Sequence, residues 1–434
     1  MLGVFFMSLE PFSRELGPQE ALFVEMTRLS HGGLQFVSFI RVCEPLKVGP
    51  LREGLAYLHK RHPLLRARVK RGERLRWICD VDFRDIPLEI CHLKSDLNLE
   101  EAFKTHALNC LDSEKYVYSL RLYLNKEGLV EWVSMINIHA VLDGRSIMTL
   151  FSDLDRFLRS NTNLEQVESL PLQESIASQL EASGYFGEEE LEHKSKGDFS
   201  WAVEKEAAPR ERKACAISYL MPPEKIDLLA QLAKKNKVKL TAVYCAIASI
   251  AARAIPGYKK LTEVILAMDA RGLCSPNIPF DHIGSFSETT SLALPSNVVS
   301  ADIIDVAGSL NEQIDAVLLK QRPMTKNLSS DYNMEDITRM AAEVTAQQSS
   351  FPAGIIVSNV GNMRFLADEI RYFEIQKPMI TLTNGINPLM VVNYTTYRNS
   401  VFIFGYCEPL ISKESISKYI DEYMDIVNEL ISGG

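Results

Sequence analysis

The stretch that most constrains this chain is Leu129-Val130-Glu131-Trp132-Val133-Ser134-Met135-Ile136-Asn137-Ile138 together with the residues just after it. The run is short, β-branched and aromatic-rich, the pattern of a buried strand. It leads into His139-Ala140-Val141-Leu142-Asp143-Gly144. Beyond that, Ile147, Phe151, Leu154 and Leu158 recur at helical spacing, with Ser152, Asp153, Asp155 and Arg156 available for the other face. An imidazole therefore ends a strand, and an Asp-Gly turn opens a helix. Strand ends beside tight turns are where α/β folds tend to keep reacting groups.

Histidine is the side chain best suited to taking and returning a proton near neutral pH. Asp143 lies close enough along the chain to shape the loop that orients the imidazole. It can equally be aimed away, locking the loop through an arginine elsewhere. Gly144 fits a turn that needs positive φ or close backbone approach. The plainer reading is a packed strand-end His139 with Asp143 serving only as an N-cap.

Composition bounds the function classes. A chain of 434 residues with 46% apolar and 24% charged content is an ordinary globular sequence, long enough for two or three domains. Its net charge of −9 argues against general nucleic-acid binding. The eight cysteines are scattered without a Cys-x-x-Cys pair, which points to reduced core thiols and a cytoplasmic protein. No apolar run is long enough for a membrane span, and Leu2–Met7 is too short and lacks the basic flank of a signal peptide. There is no Gly-x-Ser-x-Gly elbow, Walker loop or dinucleotide fingerprint. His59 and His62 lack the Glu and spacing of a zinc helix, so no metal is expected.

Along the chain, Pro18–Leu29 reads as a helix stopped by His31-Gly32-Gly33, and Leu34–Val42 as a strand. Pro50 opens a helix running into Arg61-His62-Pro63-Leu64-Leu65-Arg66, and His62, preceding proline, leaves it. Arg66, Arg68, Lys70, Arg71, Arg74 and Arg76 surround a Gly72 turn, the pattern of a hairpin. They are either a solvated edge or a docking patch for a phosphate-bearing or acidic partner, and the solvated edge is favoured. Lys234, Lys235, Lys237 and Lys239 carry the same ambiguity. Pro222-Pro223 starts an amphipathic helix; Thr241 caps an apolar one, Ala242–Ala254, that should be buried. Val264–Met268 is a strand running into Asp269-Ala270-Arg271. Ser309–Leu319 is a helix, and Gly354–Val357 a strand ending at Ser358-Asn359. A hairpin through Tyr397-Arg398-Asn399-Ser400 joins strands near Met390–Thr395 and Val401–Gly405, and a helix closes the chain.

His139 to Gly144 resembles the His-x-x-x-Asp-Gly signature of the chloramphenicol-acetyltransferase-like superfamily, which includes condensation domains and stand-alone Pap-type acyltransferases. The Arg61–Arg66 stretch, the paired helices before Val264, Arg271, Gly284-Ser285-Phe286 and Ser358-Asn359 resemble further family features in order. Two departures are plain: Ile138 stands where many members have a first histidine, and the Asp-Phe-Gly-Trp-Gly stretch of plant members is missing.

The resemblance implies an α/β (α+β) architecture of two similar lobes, each a mixed sheet flanked by helices, with an active-site cleft or tunnel between them. The lobes would be residues 1–187 and 213–434, joined by 188–212, which is dense in charge. It implies His139 as general base, Asp143 as the residue orienting its loop, and Arg271 as the partner of Asp143. Ser358 and Asn359 would contact the oxyanion or acceptor, although a simple turn role fits them nearly as well. The expected activity is transfer of an acyl group to a hydroxyl of a lipid, polyketide or other small molecule. No cofactor would be bound; an acyl-CoA or the phosphopantetheine thioester of an acyl carrier protein would be the donor. Two alternatives stay open: a stand-alone condensation enzyme forming an amide, and a degenerate member that binds a carrier protein or acyl chain without turnover.

Overall fold

The computed structural model describes residues 12–160, 163–185, 201–256, 261–298, 300–319, 330–347, 350–351, 354–363, 371–374, 381–382, 386–396 and 399–432. In chain order its first half comprises β1 (Ser13–Glu15), α1 (Pro18–Leu29), β2 (Gln35–Leu46), α2 (Val48–Arg61), β3 (Ala67–Lys70), β4 (Arg76–Cys79), β5 (Leu88–His92), α3 (Leu99–Ala107), β6 (Tyr118–Leu124), β7 (Val130–Ile138), α4 (Gly144–Arg159) and α5 (Ile176–Ala182). The second comprises β8 (Trp201–Ala202), β9 (Lys213–Met221), α6 (Pro223–Lys235), α7 (Leu240–Ala251), β10 (Glu263–Asp269), β11 (Ser287–Ala293), α8 (Ile303–Leu318), α9 (Met334–Thr345), β12 (Ser350–Phe351), β13 (Ile355–Asn362), β14 (Phe373–Glu374), β15 (Thr381–Leu382), β16 (Leu389–Thr395), β17 (Ser400–Glu408) and α10 (Lys413–Ser432).

Two mixed sheets organise the molecule. The first has the order β14-β2-β7-β6-β5, with β15 also pairing β2. β7 lies inside this sheet with helices over both faces, so eight of its nine residues are buried and its sequence reads as an unbroken apolar run. The second has the order β11-β10-β13-β16-β17-β9, with β13 parallel to both neighbours. Over it lies α7, apolar nearly all round and buried from Ala242 to Ala251.

The strands β14 and β15 belong to the second half of the sequence yet extend the first sheet, pairing antiparallel with β2. This return is anchored on α4, where the wholly buried Asp155 carboxylate accepts the backbone N–H groups of Arg371 and Tyr372 at 2.9 and 2.6 Å. A small sheet, β1-β4-β3, sits beside α1.

Several sequence-based bounds shift. α2 begins two residues before Pro50, and α8 begins six before Ser309. Thr241 does not cap α7: Lys239 holds that position, and the Thr241 hydroxyl instead takes a 2.8 Å bond from Asn359. The strand through Ser358 does not stop there but runs on to Asn362 past a bulge at Asn359/Gly361, so Ser358 and Asn359 are strand residues rather than a turn. Residues 188–200 of the expected connection, and Tyr397 and Arg398 of the expected hairpin turn, lie outside the described residues. The two strands of that hairpin pair antiparallel as β16 and β17, with Thr395 opposite Ser400. Among the described residues no helix is long and apolar enough to cross a membrane. All eight cysteines are unbridged, and five of them are buried.

Candidate active site

His139 follows the last residue of β7 and is 8% exposed. Its backbone N–H donates to the carbonyl of Leu34, a residue in the left-handed region at φ 61°. Its ring stacks on Phe23 of α1, with centroids 4.7 Å apart, and meets the edge of Phe36 of β2 at 4.5 Å. Nδ1 lies 3.2 Å from the Leu142 carbonyl. A carbonyl can only accept, so this contact places the proton on Nδ1 and the basic lone pair on Nε2.

Asp143 is 3% exposed and does two jobs at once. It caps α4, its carboxylate accepting the Ser146 N–H at 2.7 Å. It also pairs with Arg271, whose two terminal nitrogens donate to its two oxygens at 2.9 and 3.1 Å. A fourth donor, the Phe286 N–H, reaches Oδ2 at 3.0 Å. These donors use the carboxylate's acceptor capacity, so Asp143 acts on the loop rather than on the imidazole. Burial alone would raise its pKa, but the guanidinium and the Ser146 N–H outweigh it and hold the carboxyl below the ordinary value.

Arg271 is 1% exposed and grips more than Asp143. It donates to Asp269 Oδ1 at 2.9 Å and to the Ser146 hydroxyl at 2.8 Å, and its guanidinium lies over the Phe286 ring. Ser146 in turn exchanges hydrogen bonds with both backbone groups of Gly284. Arg145 completes the rim with a 2.7 Å bond to Asp269 Oδ2. The first turn of α4 is thereby stitched to the chain between β10 and β11. Gly144 needs no positive φ: it is an ordinary first helical residue, and a Cβ there would meet Val360 of β13 at 3.6 Å. That is ordinary van der Waals contact, so neither backbone conformation nor packing requires glycine here.

Ser358 and Asn359 lie half-buried on β13, in register with Val392 and Asn393 of β16. Asn359 spends its amide locally, donating to Thr241 and accepting the Gly361 N–H at 3.1 Å. Ser358 sits two residues before Val360.

The Arg-His-Pro stretch is a brace. His62, fully buried, bonds Asp153 of α4 through Nε2 at 3.0 Å, and Arg61 bonds the same oxygen at 2.9 Å. The basic hairpin is neutralised rather than open: Arg68 pairs with Asp80, Arg71 with Glu25 and Glu114, Arg74 with Asp331, and Arg76 with Glu15. Among the described residues no group of three or more His, Cys, Asp or Glu is placed to hold a metal ion.

Sequence reasoning missed Ser146, Asp269, Phe23 and Phe36. Ser146 was findable, standing three residues after a helix-capping Asp. Phe23 and Phe36 carry no local signal, because only the packing of α1 and β2 brings them to the ring.

No protein-family model matches the sequence, and no curated relative does. Solved structures are similar over almost the whole chain. The condensation domain from Monacolin K polyketide synthase MokA is 11% identical with a TM-score of 0.68, covering 98% of both chains. The epimerization domain from the third module of tyrocidine synthetase B is 16% identical with a TM-score of 0.67, covering 98% of this chain and 97% of that one. Polyketide synthase associated protein 5 from Mycobacterium tuberculosis is 14% identical with a TM-score of 0.66, covering 96% and 97%. On this likeness the chain has the two-lobed, chloramphenicol-acetyltransferase-like fold of the condensation domains.

Proposed function

We propose that this protein is an acyltransferase that moves an acyl group from a thioester to a hydroxyl, with His139 as general base. The observation that carries the reading is the Nδ1 contact of His139 with the Leu142 carbonyl, which leaves Nε2 as the base. Nε2 takes the proton of the acceptor hydroxyl as its oxygen attacks the thioester carbonyl. The tetrahedral intermediate collapses with cleavage of the C–S bond, and the imidazolium returns the proton to the leaving thiolate. No acyl-enzyme is required, since holding both reactants together supplies the rate through proximity.

Asp143 and Arg271 support this chemistry by fixing the His139–Gly144 loop. Of the two small residues on β13, Ser358 is the better donor to the developing oxyanion, because the Asn359 amide is committed to Thr241 and Gly361. The donor is an acyl-CoA or the phosphopantetheine thioester of a carrier protein, which present the same arm. An amine acceptor, giving an amide, is the second reading; the similarity to proteins named as condensation domains favours it. The fold itself does not choose, since an epimerization domain shares it.

The test is thiol release from acetyl- to palmitoyl-CoA, and from acylated carrier proteins, with alcohol and amine acceptors. Release that His139→Ala abolishes supports the reading, and the productive acceptor separates ester from amide. Full turnover by a folded His139→Ala protein overturns it. Donor binding without thiol release from any acceptor would mark a binding protein instead.

A further inference from the structure

The imidazole is held by more than its own loop. Phe23, against which it stacks, lies on α1 in the first lobe. Gln19 stands four residues earlier on the same helix, and residues so spaced share one face. Its amide nitrogen donates across to β11 of the second lobe, to Glu288 Oε1 at 3.0 Å and to the Ser287 carbonyl at 3.1 Å. Phe286, next to Ser287, is the residue whose N–H reaches Asp143. The chain that holds Asp143 and the helix that presses on His139 are therefore joined through one side chain.

The chemistry of Gln19 says what it is for. Both its partners offer acceptors, so the amide has only one workable orientation. That orientation leaves Oε1 buried with no donor, in a residue 2% exposed. A buried acceptor without a donor costs free energy. Methionine would fill nearly the same space without that cost. What the amide adds is the pair of bonds between α1 and β11.

We infer that Gln19 is a positioning residue for His139, clamping α1 to β11 so that Phe23 sets the plane of the imidazole. The inference rests on His139 being the base. Gln19→Met removes both donors at nearly constant volume. It should lower kcat by roughly ten- to hundredfold, as small misplacements of reacting groups do. KM for the acyl-CoA that the wild type turns over best should stay within about twofold, because the clamp acts on the base rather than on donor binding. The acid limb of the kcat–pH profile should move. Phe23→Leu should match it, and the double variant should be little worse than the poorer single, as coupled residues behave.

A second readout needs no turnover. In His-labelled protein, NMR should show the His139 ring protons losing the ring-current shift of Phe23 in Gln19→Met. Wild-type kcat and an unchanged ring-current shift in Gln19→Met would overturn the inference. So would independent, multiplicative losses in the double variant, or a fall in kcat explained by a lowered melting temperature. Thiol release that survives His139→Ala would instead overturn the base assignment itself, and the NMR shift would still report whether Gln19 orders the ring.

Discussion

Arg271 and Asp143, 128 residues apart, meet in paired hydrogen bonds of 2.9 and 3.1 Å, each residue almost wholly buried. The relationship joins the two lobes at the base of the loop that presents His139. Removing one member of such a pair leaves the other charge buried. Arg271→Met should therefore destabilise the protein by about 3–5 kcal/mol in urea unfolding. Arg271→Lys should recover only part of that, since an ammonium does not reproduce the paired geometry. A stability within about 0.5 kcal/mol of wild type would mean that the pair does not hold the loop.

Two glycines near this pair should respond oppositely. A Cβ on Gly284 would lie 2.3 Å from the Phe286 ring, which is itself packed under the Arg271 guanidinium. Gly284→Ala should cost about 1–3 kcal/mol through overpacking and loosen the Phe286 N–H from Asp143. At Gly144 the nearest atom, on Val360, would be at an ordinary 3.6 Å. Gly144→Ala should fold with a melting temperature equal to or above wild type, gaining from the reduced freedom of the unfolded chain. The paired thermal melts check both, and equal losses would contradict this difference in packing.

Acid should weaken the fold in two stages. Burial lowers the pKa of His59 from 6.5 to about 4 and of His106 from 6.5 to about 3, and holds His62 below its usual value. Below about pH 6.5 the unfolded chain therefore takes up protons first. Each of these histidines then subtracts about 1.4 kcal/mol per pH unit until its folded value is reached. Asp143 and Asp153 are shifted down, so their contributions persist above about pH 4 and fade as pH falls through their folded values. Urea midpoints should already drop between pH 7 and pH 5. A flat profile there would show that the histidines are not buried neutral.

The basic hairpin offers a contrast in what an ion pair is worth. Arg68 and Asp80 are both 36% exposed, so Arg68→Ala should change stability by no more than about 0.5 kcal/mol. Arg71 reaches Glu25, whose side chain is 2% exposed. Arg71→Ala should cost more, about 1–3 kcal/mol, because it takes a donor from a buried carboxylate. Equal effects from the two variants would return the hairpin to a uniformly solvated surface.

Local pattern carried a great deal of this protein. The continuous apolar run of β7 gave a strand, the 3.6-residue spacing after Gly144 gave α4, and the Pro18 and Pro223 starts marked α1 and α6. These elements arise from the chain's own periodicity and capping chemistry, which act within a few residues. The His139–Gly144 motif was legible for the same reason, since all its members lie on one turn.

Tertiary structure decided the rest. It alone fixed the paired geometry between the Asp143 carboxylate and the Arg271 guanidinium, and bound the Asn359 amide to Thr241. It alone brought Phe23, Phe36 and Gln19 to the site, and carried β14 and β15 back to the first sheet. Such contacts join residues tens to hundreds of positions apart. No local propensity encodes them; they form because buried charges and amides must find partners somewhere in the packed fold.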